Sequence, residues 1–481
     1  MRQTSRTPDP HPPPPHLPLR PTHLTPLAAS LLLLAASHAQ AQSVELRSLT
    51  LGQLTQHTRA DRRQAPQYIF TQGLQLSAHD MLGDRTGSLS SHLRFRYSTD
   101  LALQDPLLAA PSMRLLNDAL MLDLAYVEYK PLPWLSGKLG RHWSWGALGT
   151  RDLDGVTLRL DPRSSGLSPF IEGTFGRDVQ SGQGWLAPDT FDVQGLPATN
   201  DAQRPSALHS QLRAGLAWDQ HLRLEAAALR RQTSAQGGLP ATTDESRVGA
   251  ALTAQPHPSL ALTAAGSWHM LLNATDRAHL QLAWRSPWAG LIASAGVERR
   301  RPWFDASSIF NIFGLTPHDS AHLTLALPSP ALDTSFELRG WGRAFHADED
   351  TSDLGAGADD ARAAGVALAH DTRLPRRWRL RSQLSAQLGP DDYGGDQYLL
   401  DSQLRVPGWL EDLSFTGRVL GLMVRTDHHR LRDELGLGVT LGADLPVLDH
   451  GTLSVFVEHR LSTNLPPLTS AQAALTLEVW P

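Results

Sequence analysis

The chain has no cysteine. This excludes disulfide scaffolds, thiolate zinc sites, iron–sulfur clusters, covalently attached haem and thiol nucleophiles. It also suits a polypeptide that crosses an oxidising compartment unfolded, where stray thiols mispair. Net charge is small as well. The 43 Lys and Arg against 48 Asp and Glu leave −5 over 481 residues, without the basic surplus that nucleic-acid binding requires, so no nucleic-acid partner is expected. Past the N-terminus there is no apolar run long enough for a membrane helix, and mean hydropathy is −0.27. A strand-built membrane protein is still allowed, because barrel strands are short and apolar on one face only.

The N-terminal segment reads as an address. Arg2, Arg6 and Arg20 precede an apolar core, LAASLLLLAA, at 27–36, and Ala39-Gln40-Ala41 has the small-residue pattern of a cleavage site. Residues 1–41 are expected to be a signal peptide read by the Sec pathway, and 42–481 the mature chain as one unit. The long Pro-rich stretch PDPHPPPPHLPLRP is unusual in such a segment and raises the prospect of a start codon further downstream.

From about residue 68 onward, apolar and polar residues alternate for about ten positions, and then a turn cluster intervenes. Between 207 and 218, Leu208, Leu212, Ala214, Leu216 and Trp218 fall on one face and His209, Gln211, Arg213 and Gly215 on the other. A period of two gives a strand with one apolar and one wet face. The same holds for Leu89, Leu93, Phe95 and Tyr97 against His92, Arg94 and Arg96, and for Phe415, Val419 and Met423 against Ser414, Thr416 and Arg418. A soluble sandwich also alternates, but three features favour a barrel in a membrane. Charges sit mid-strand, such as Arg339 in SFELRGW and Glu225 in LRLEAAAL. Aromatics gather near strand ends, among them Tyr126, Tyr129, Trp134, Trp218, Trp268 and Trp284, as in interfacial girdles. Finally, short connections such as 219–220 and 255–258 interleave with long ones such as 178–206 and 300–319, as periplasmic turns interleave with extracellular loops. The expectation is an all-β, single closed antiparallel transmembrane barrel of about 22 strands.

With the export signal, this strand grammar and the local pattern Leu139-Gly140-Arg141, loop, Asp154-Gly155-Val156-Thr157-Leu158, the chain resembles porin-type bacterial outer-membrane β-barrels as a class. The resemblance implies an outer-membrane location in a Gram-negative envelope, lipid contact, and insertion by the barrel-assembly machinery. It is compatible with homo-oligomers. One departure is visible: Leu475, Leu477 and Val479 keep the alternation, yet Pro481 stands where such barrels usually end in an aromatic residue.

The function expected is a channel for diffusion of small hydrophilic solutes, with anions favoured by arginines on the wet parity: Arg94, Arg96, Arg159, Arg213, Arg339, Arg379, Arg381 and Arg418. The plainer alternative is that these arginines pair with acids and stiffen the wall. The loop at 299–319 carries Trp303, Phe304, Phe310 and Phe313, too apolar for solvent, and is expected to fold inward as a constriction or to cap the mouth. The acidic loop at 344–362 is read as solvated. Thr426-Asp427-His428-His429 is not read as a metal site, because adjacent residues of an extended chain point apart. No cofactor is expected.

Two other classes remain. A scaffold or conduit barrel would sheathe a partner such as an electron-carrier protein. An outer-membrane hydrolase would need a nucleophile and base brought together; no G-x-S-x-G is present, and His318-Asp319-Ser320 cannot form a triad as sequence neighbours. The chain is therefore not expected to be an enzyme. The dense segment LGRHWSWGALGTRDLDGVTLRL at 139–160 reads as an extracellular hairpin. Trp143 and Trp145 would lie at the membrane interface, 146–152 would cross the mouth, and His142, Arg141 and Asp154 would stand at the pore entrance.

Overall fold

The computed structural model describes residues 43–479 apart from 59–63, 83–86, 101–118, 163–165, 180–206, 234–241, 288–289, 302–316, 331–332, 347–360, 391–394, 409–412, 426–432, 448–449 and 465–466. Residues 1–41, expected to be a signal peptide, and the aromatic loop residues Trp303, Phe304, Phe310 and Phe313 lie outside the described residues, as do His428 and His429.

The alternating segments form strands β1 (Ser43–Thr58), β2 (Gln64–His79), β3 (Ser88–Asp100), β4 (Ala119–Leu132), β5 (Leu135–Gly146), β6 (Gly149–Leu160), β7 (Leu167–Asp178) and β8 (Ala207–Trp218). They continue as β9 (Leu222–Thr233), β10 (Thr242–His257), β11 (Leu260–His269), β12 (Ala274–Arg285), β13 (Ile292–Arg300), β14 (His318–Ser329) and β15 (Thr334–Phe345). The rest are β16 (Arg362–Arg373), β17 (Arg379–Leu388), β18 (Asp396–Pro407), β19 (Ser414–Arg425), β20 (Glu434–Pro446), β21 (Gly451–Ser462) and β22 (Leu468–Val479). Each strand pairs antiparallel with its chain neighbours, and β1 pairs with β22 from Leu46↔Val479 to Gln56↔Thr469. The sheet is thereby a closed 22-stranded barrel, and closure leaves no unpaired edge.

Register alternation sorts the side chains. The outward set includes Leu139, Leu158, Phe175, Leu212, Val297, Leu384 and Leu441, all well exposed. A continuous apolar jacket of this extent is incompatible with water and matches a lipid-facing band. A typical strand here has 12 residues, which at about 3.3 Å each and a tilt near 40° spans roughly 30 Å of bilayer. The inward set is polar. Residues such as Glu172, Thr174, His209, Gln211, Arg213 and Glu225 are buried, and the only buried apolar cluster found among the described residues is Leu148, Ala227 and Leu229, with Ala147 against it.

The two ends of the barrel differ. At one end the connections include 101–118, 179–206, 301–317 and 346–361; at the other, none is longer than 80–87.

Candidate channel constriction

One hairpin leaves the wall. Strand β4 accompanies β5 only as far as Ala125↔Arg141, and β7 accompanies β6 only as far as Leu153↔Asp178. The two partners stay paired with each other up to Gly146↔Gly149. Residues 142–152 are thus a two-stranded tongue that leaves both neighbours, its last bond to the chain of β7 running from the Val179 amide to the Asp152 carbonyl at 2.9 Å, and it is closed by the turn Ala147-Leu148.

A row of glycines marks the bend. In register, Tyr126 faces Gly140, Gly140 faces Gly155, and Gly155 faces Gly176. Gly140 has φ +118°, a conformation that L side chains rarely adopt. A Cβ on Gly155 would collide with the Phe175 carbonyl oxygen, and one on Gly176 would meet the Asp154 carbonyl oxygen at 2.7 Å. The strands approach closely here because side chains are missing, which is how sheets are made to turn sharply. At the hinge Arg141 forms a bidentate pair with Asp154, 2.7 Å at each oxygen, and donates to the Leu122 carbonyl at 2.8 Å.

The tongue folds onto the inner wall of strands three to five places along. Ser144 donates to Gln211 Oε1 of β8 at 3.0 Å, the Ala147 amide donates to Glu225 of β9 at 2.7 Å, and Arg151 reaches Glu245 of β10 at 2.6 Å. Leu148 packs on Ala227 and Leu229. A Cβ on Gly249 would meet Leu148 Cδ2 at 2.6 Å, and one on Gly146 would meet Arg213 Nε at 2.6 Å. All these wall residues lie on the polar parity, so the tongue is inside the barrel.

Behind it is a charge network. Arg213 donates to Glu172 at 2.6 Å and forks onto Glu225 at 3.2 and 3.1 Å, a bidentate geometry that guanidinium favours. Arg159 joins Glu172 at 3.4 Å and lies over the Phe170 ring, 4.3 Å from its centroid. Arg247 bridges Glu245 and Asp276 at 2.9 and 3.0 Å. His142, 1% exposed, is fixed between tongue and wall. Its Nδ1–H donates to the Gly140 carbonyl at 2.9 Å, leaving Nε2 to accept the Thr157 hydroxyl at 2.7 Å, and Thr157 is in turn 3.0 Å from the Thr174 hydroxyl. It is a buried structural residue rather than one at the pore entrance.

Because the tongue lies face down on the wall, its own outward parity now looks into the lumen. His142 and Ser144 are buried against the wall, whereas Trp143 and Trp145 project the other way, with Trp145 60% exposed. Their register partners Asp152 and Thr150 share that side. The tryptophans stand edge to face, ring centroids 6.0 Å apart at 77°. They are therefore not at the membrane interface, where simple alternation would put them. Tyr126 is also misplaced by that reasoning. It faces inward, stacked on His92 at 4.7 Å, with Lys138 Nζ 5.5 Å from its centroid, while Tyr129, Trp218, Trp268 and Trp284 do face outward.

The eight arginines singled out from sequence all lie on the polar parity, but six are paired. Arg94 and Arg96 flank Asp123 at 3.5 and 3.7 Å. Arg159 and Arg213 belong to the network above; Arg379 forks onto Asp371 and Arg418 onto Asp401, with closest approaches of 2.6 and 2.7 Å. Among the described residues, Arg339 and Arg381 take part in no ion pair. His318 and Ser320 share the inner face, whereas Asp319 points outward and accepts from His346 at 3.0 Å, so those three neighbours do not converge.

A closed, lipid-jacketed barrel with a polar interior and an inward-folded hairpin defines a transmembrane β-barrel. No family model matches the chain, and no curated protein matches it. Among solved structures it is similar to Acinetobacter baumannii OccAB4 (9% identity, TM-score 0.44, covering 92% of this chain and 99% of that one). It is also similar to Pseudomonas aeruginosa OccK9 (OpdG), at 12% identity and TM-score 0.44, covering 91% and 98%. A third similarity is to the P pilus usher (PapC) translocation pore, at 10% identity and TM-score 0.46, covering 90% and 99%.

Proposed function

We propose that the protein is a porin-like channel of a bacterial outer membrane through which small hydrophilic solutes diffuse. The observation that carries this reading is the polar inner face of a closed lipid-jacketed barrel, narrowed by a docked tongue that covers only one side of it. A hydrated lumen lets solutes pass without bond chemistry, and the tongue sets the size limit. An enzymatic role is not invoked. A sheath for a protein partner is less favoured, because the tongue narrows the lumen from one side.

Under this reading the eight arginines line the pore. Pairing turns most of them into dipoles that hold the wall and the tongue, so selectivity for anions rests on Arg339 and Arg381 and is mild. Export through the Sec pathway after removal of 1–41, folding by the barrel-assembly machinery and assembly into homo-oligomers belong to the same proposal. The test is conductance of the refolded full-length chain in a planar bilayer under a salt gradient. The expected result is a steady conductance with a small anion-selective reversal potential, and R339Q/R381Q moves that potential toward cations while R418Q moves it less. Absence of conductance overturns the channel reading. A cation preference in the unsubstituted protein overturns the arginine argument.

A further inference from the structure

We propose that the lumen-facing side of the tongue is a binding subsite for the ammonium group of an organic solute, formed by Trp143, Trp145 and Asp152. Two observations carry it independently of any count of charges. The first is shape: the indole planes meet at 77° with centroids 6.0 Å apart, which makes a corner rather than a platform. The corner leaves the face of one indole open beside the flank of its partner, a concave seat for one rounded group, and an open indole face is the aromatic surface that best attracts ammonium and quaternary ammonium cations. A pyranose ring, which stacks flat, needs a platform that the projecting partner ring interrupts.

The second is the carboxylate. Asp152 is the register partner of Trp143 on the same side of the hairpin, and among the described residues it takes part in no ion pair, whereas Asp154 next to the hinge is held by Arg141. This half-buried carboxylate, with Arg141 near it but in no ion pair with it, supplies beside two indoles the charge that a cation needs. Neither tryptophan is required to hold the tongue in place, because docking runs through Ser144, Ala147, Leu148 and Arg151 on the other side. Trp145, 60% exposed to the lumen with the half-buried Trp143 against it, has a contact to offer.

The subsite depends on the channel reading only in that a solute must reach the lumen, so binding is measured separately from conduction. The probe is choline, followed by saturation-transfer NMR on the refolded full-length chain in detergent micelles, with maltotriose as the neutral control. The expected result is saturation transfer to the choline methyl protons with millimolar affinity. The affinity should weaken about tenfold in W143L/W145L and about fivefold in D152N, with maltotriose showing no tryptophan-dependent signal. The tongue's docking is checked in each variant through the 144–211 contact described at the end of the Discussion. Choline binding that is unchanged in these variants, binding of maltotriose but not choline, or no binding of either overturns the proposal. Choline binding in a protein that conducts nothing keeps the subsite and removes the channel.

Discussion

Replacing Leu148 and Arg151 together with alanine strips the tongue of its apolar anchor and its ion pair without touching the wall. Leu148 is 8% exposed, and truncating a buried leucine costs about 2 kcal/mol where neighbours relax partly. Arg151 reaches Glu245, a side chain with no exposure, at 2.6 Å, but Glu245 keeps Arg247 at 2.9 Å. Its loss therefore removes one charged contact without stranding the acid, a further cost of about 1 kcal/mol. A combined 3 kcal/mol, roughly, shifts the ratio of docked to released tongue by about two orders of magnitude. Single-channel recording should then show a larger or flickering conductance in L148A/R151A, and T150A, on the free side, should resemble the unsubstituted protein. If L148A/R151A conducts as the unsubstituted protein does, while folding to the same heat-resistant barrel, the tongue does not set the pore size.

Two further substitutions probe the frame around it. R213A leaves Glu172 and Glu225 facing each other with most of their compensation removed, and should lower barrel stability by about 3 kcal/mol, read as a shift in the urea midpoint of refolding into micelles; a shift within 0.5 kcal/mol of zero, roughly, contradicts the network's role. G155A puts a methyl group against the Phe175 carbonyl oxygen and should cost about 1–3 kcal/mol in the same assay, whereas G173A, whose added Cβ meets nothing within 4 Å, should be close to neutral.

The barrel itself was legible because a period of two survives in nearly every strand, and the outward leucines and valines could be read off one by one. The direction in which 142–152 folds was not. Alternation assigns Trp143 and Trp145 to the lipid side correctly for a strand that stays in the wall, and the tongue inverts that assignment by lying face down on it. The inversion depends on contacts such as Ser144 with Gln211 and Ala147 with Glu225, between segments far apart in the chain, which no local pattern encodes. A partial signal was present: Gly140 and Gly155 interrupt the middle of β5 and β6 and Gly176 stands near the end of β7, and strands place glycine where backbones must approach.

The arginine surplus was overread for a different reason. Asp123 and Asp276 occupy bulges in β4 and β12, where one residue is added against the partner strand. Counting by twos passes over such residues, yet both acids neutralise arginines inside the barrel.

The chain's lack of cysteine allows the inward fold of the tongue to be tested most directly. In S144C/Q211C, refolded at full length, a short bis-maleimide should bridge positions 144 and 211. Peptide mass spectrometry should recover that linked pair as the main product, and W145C/Q211C should give little. A tongue that stands out of the barrel mouth would leave Cys at 144 singly modified and unlinked, and that result would contradict the account.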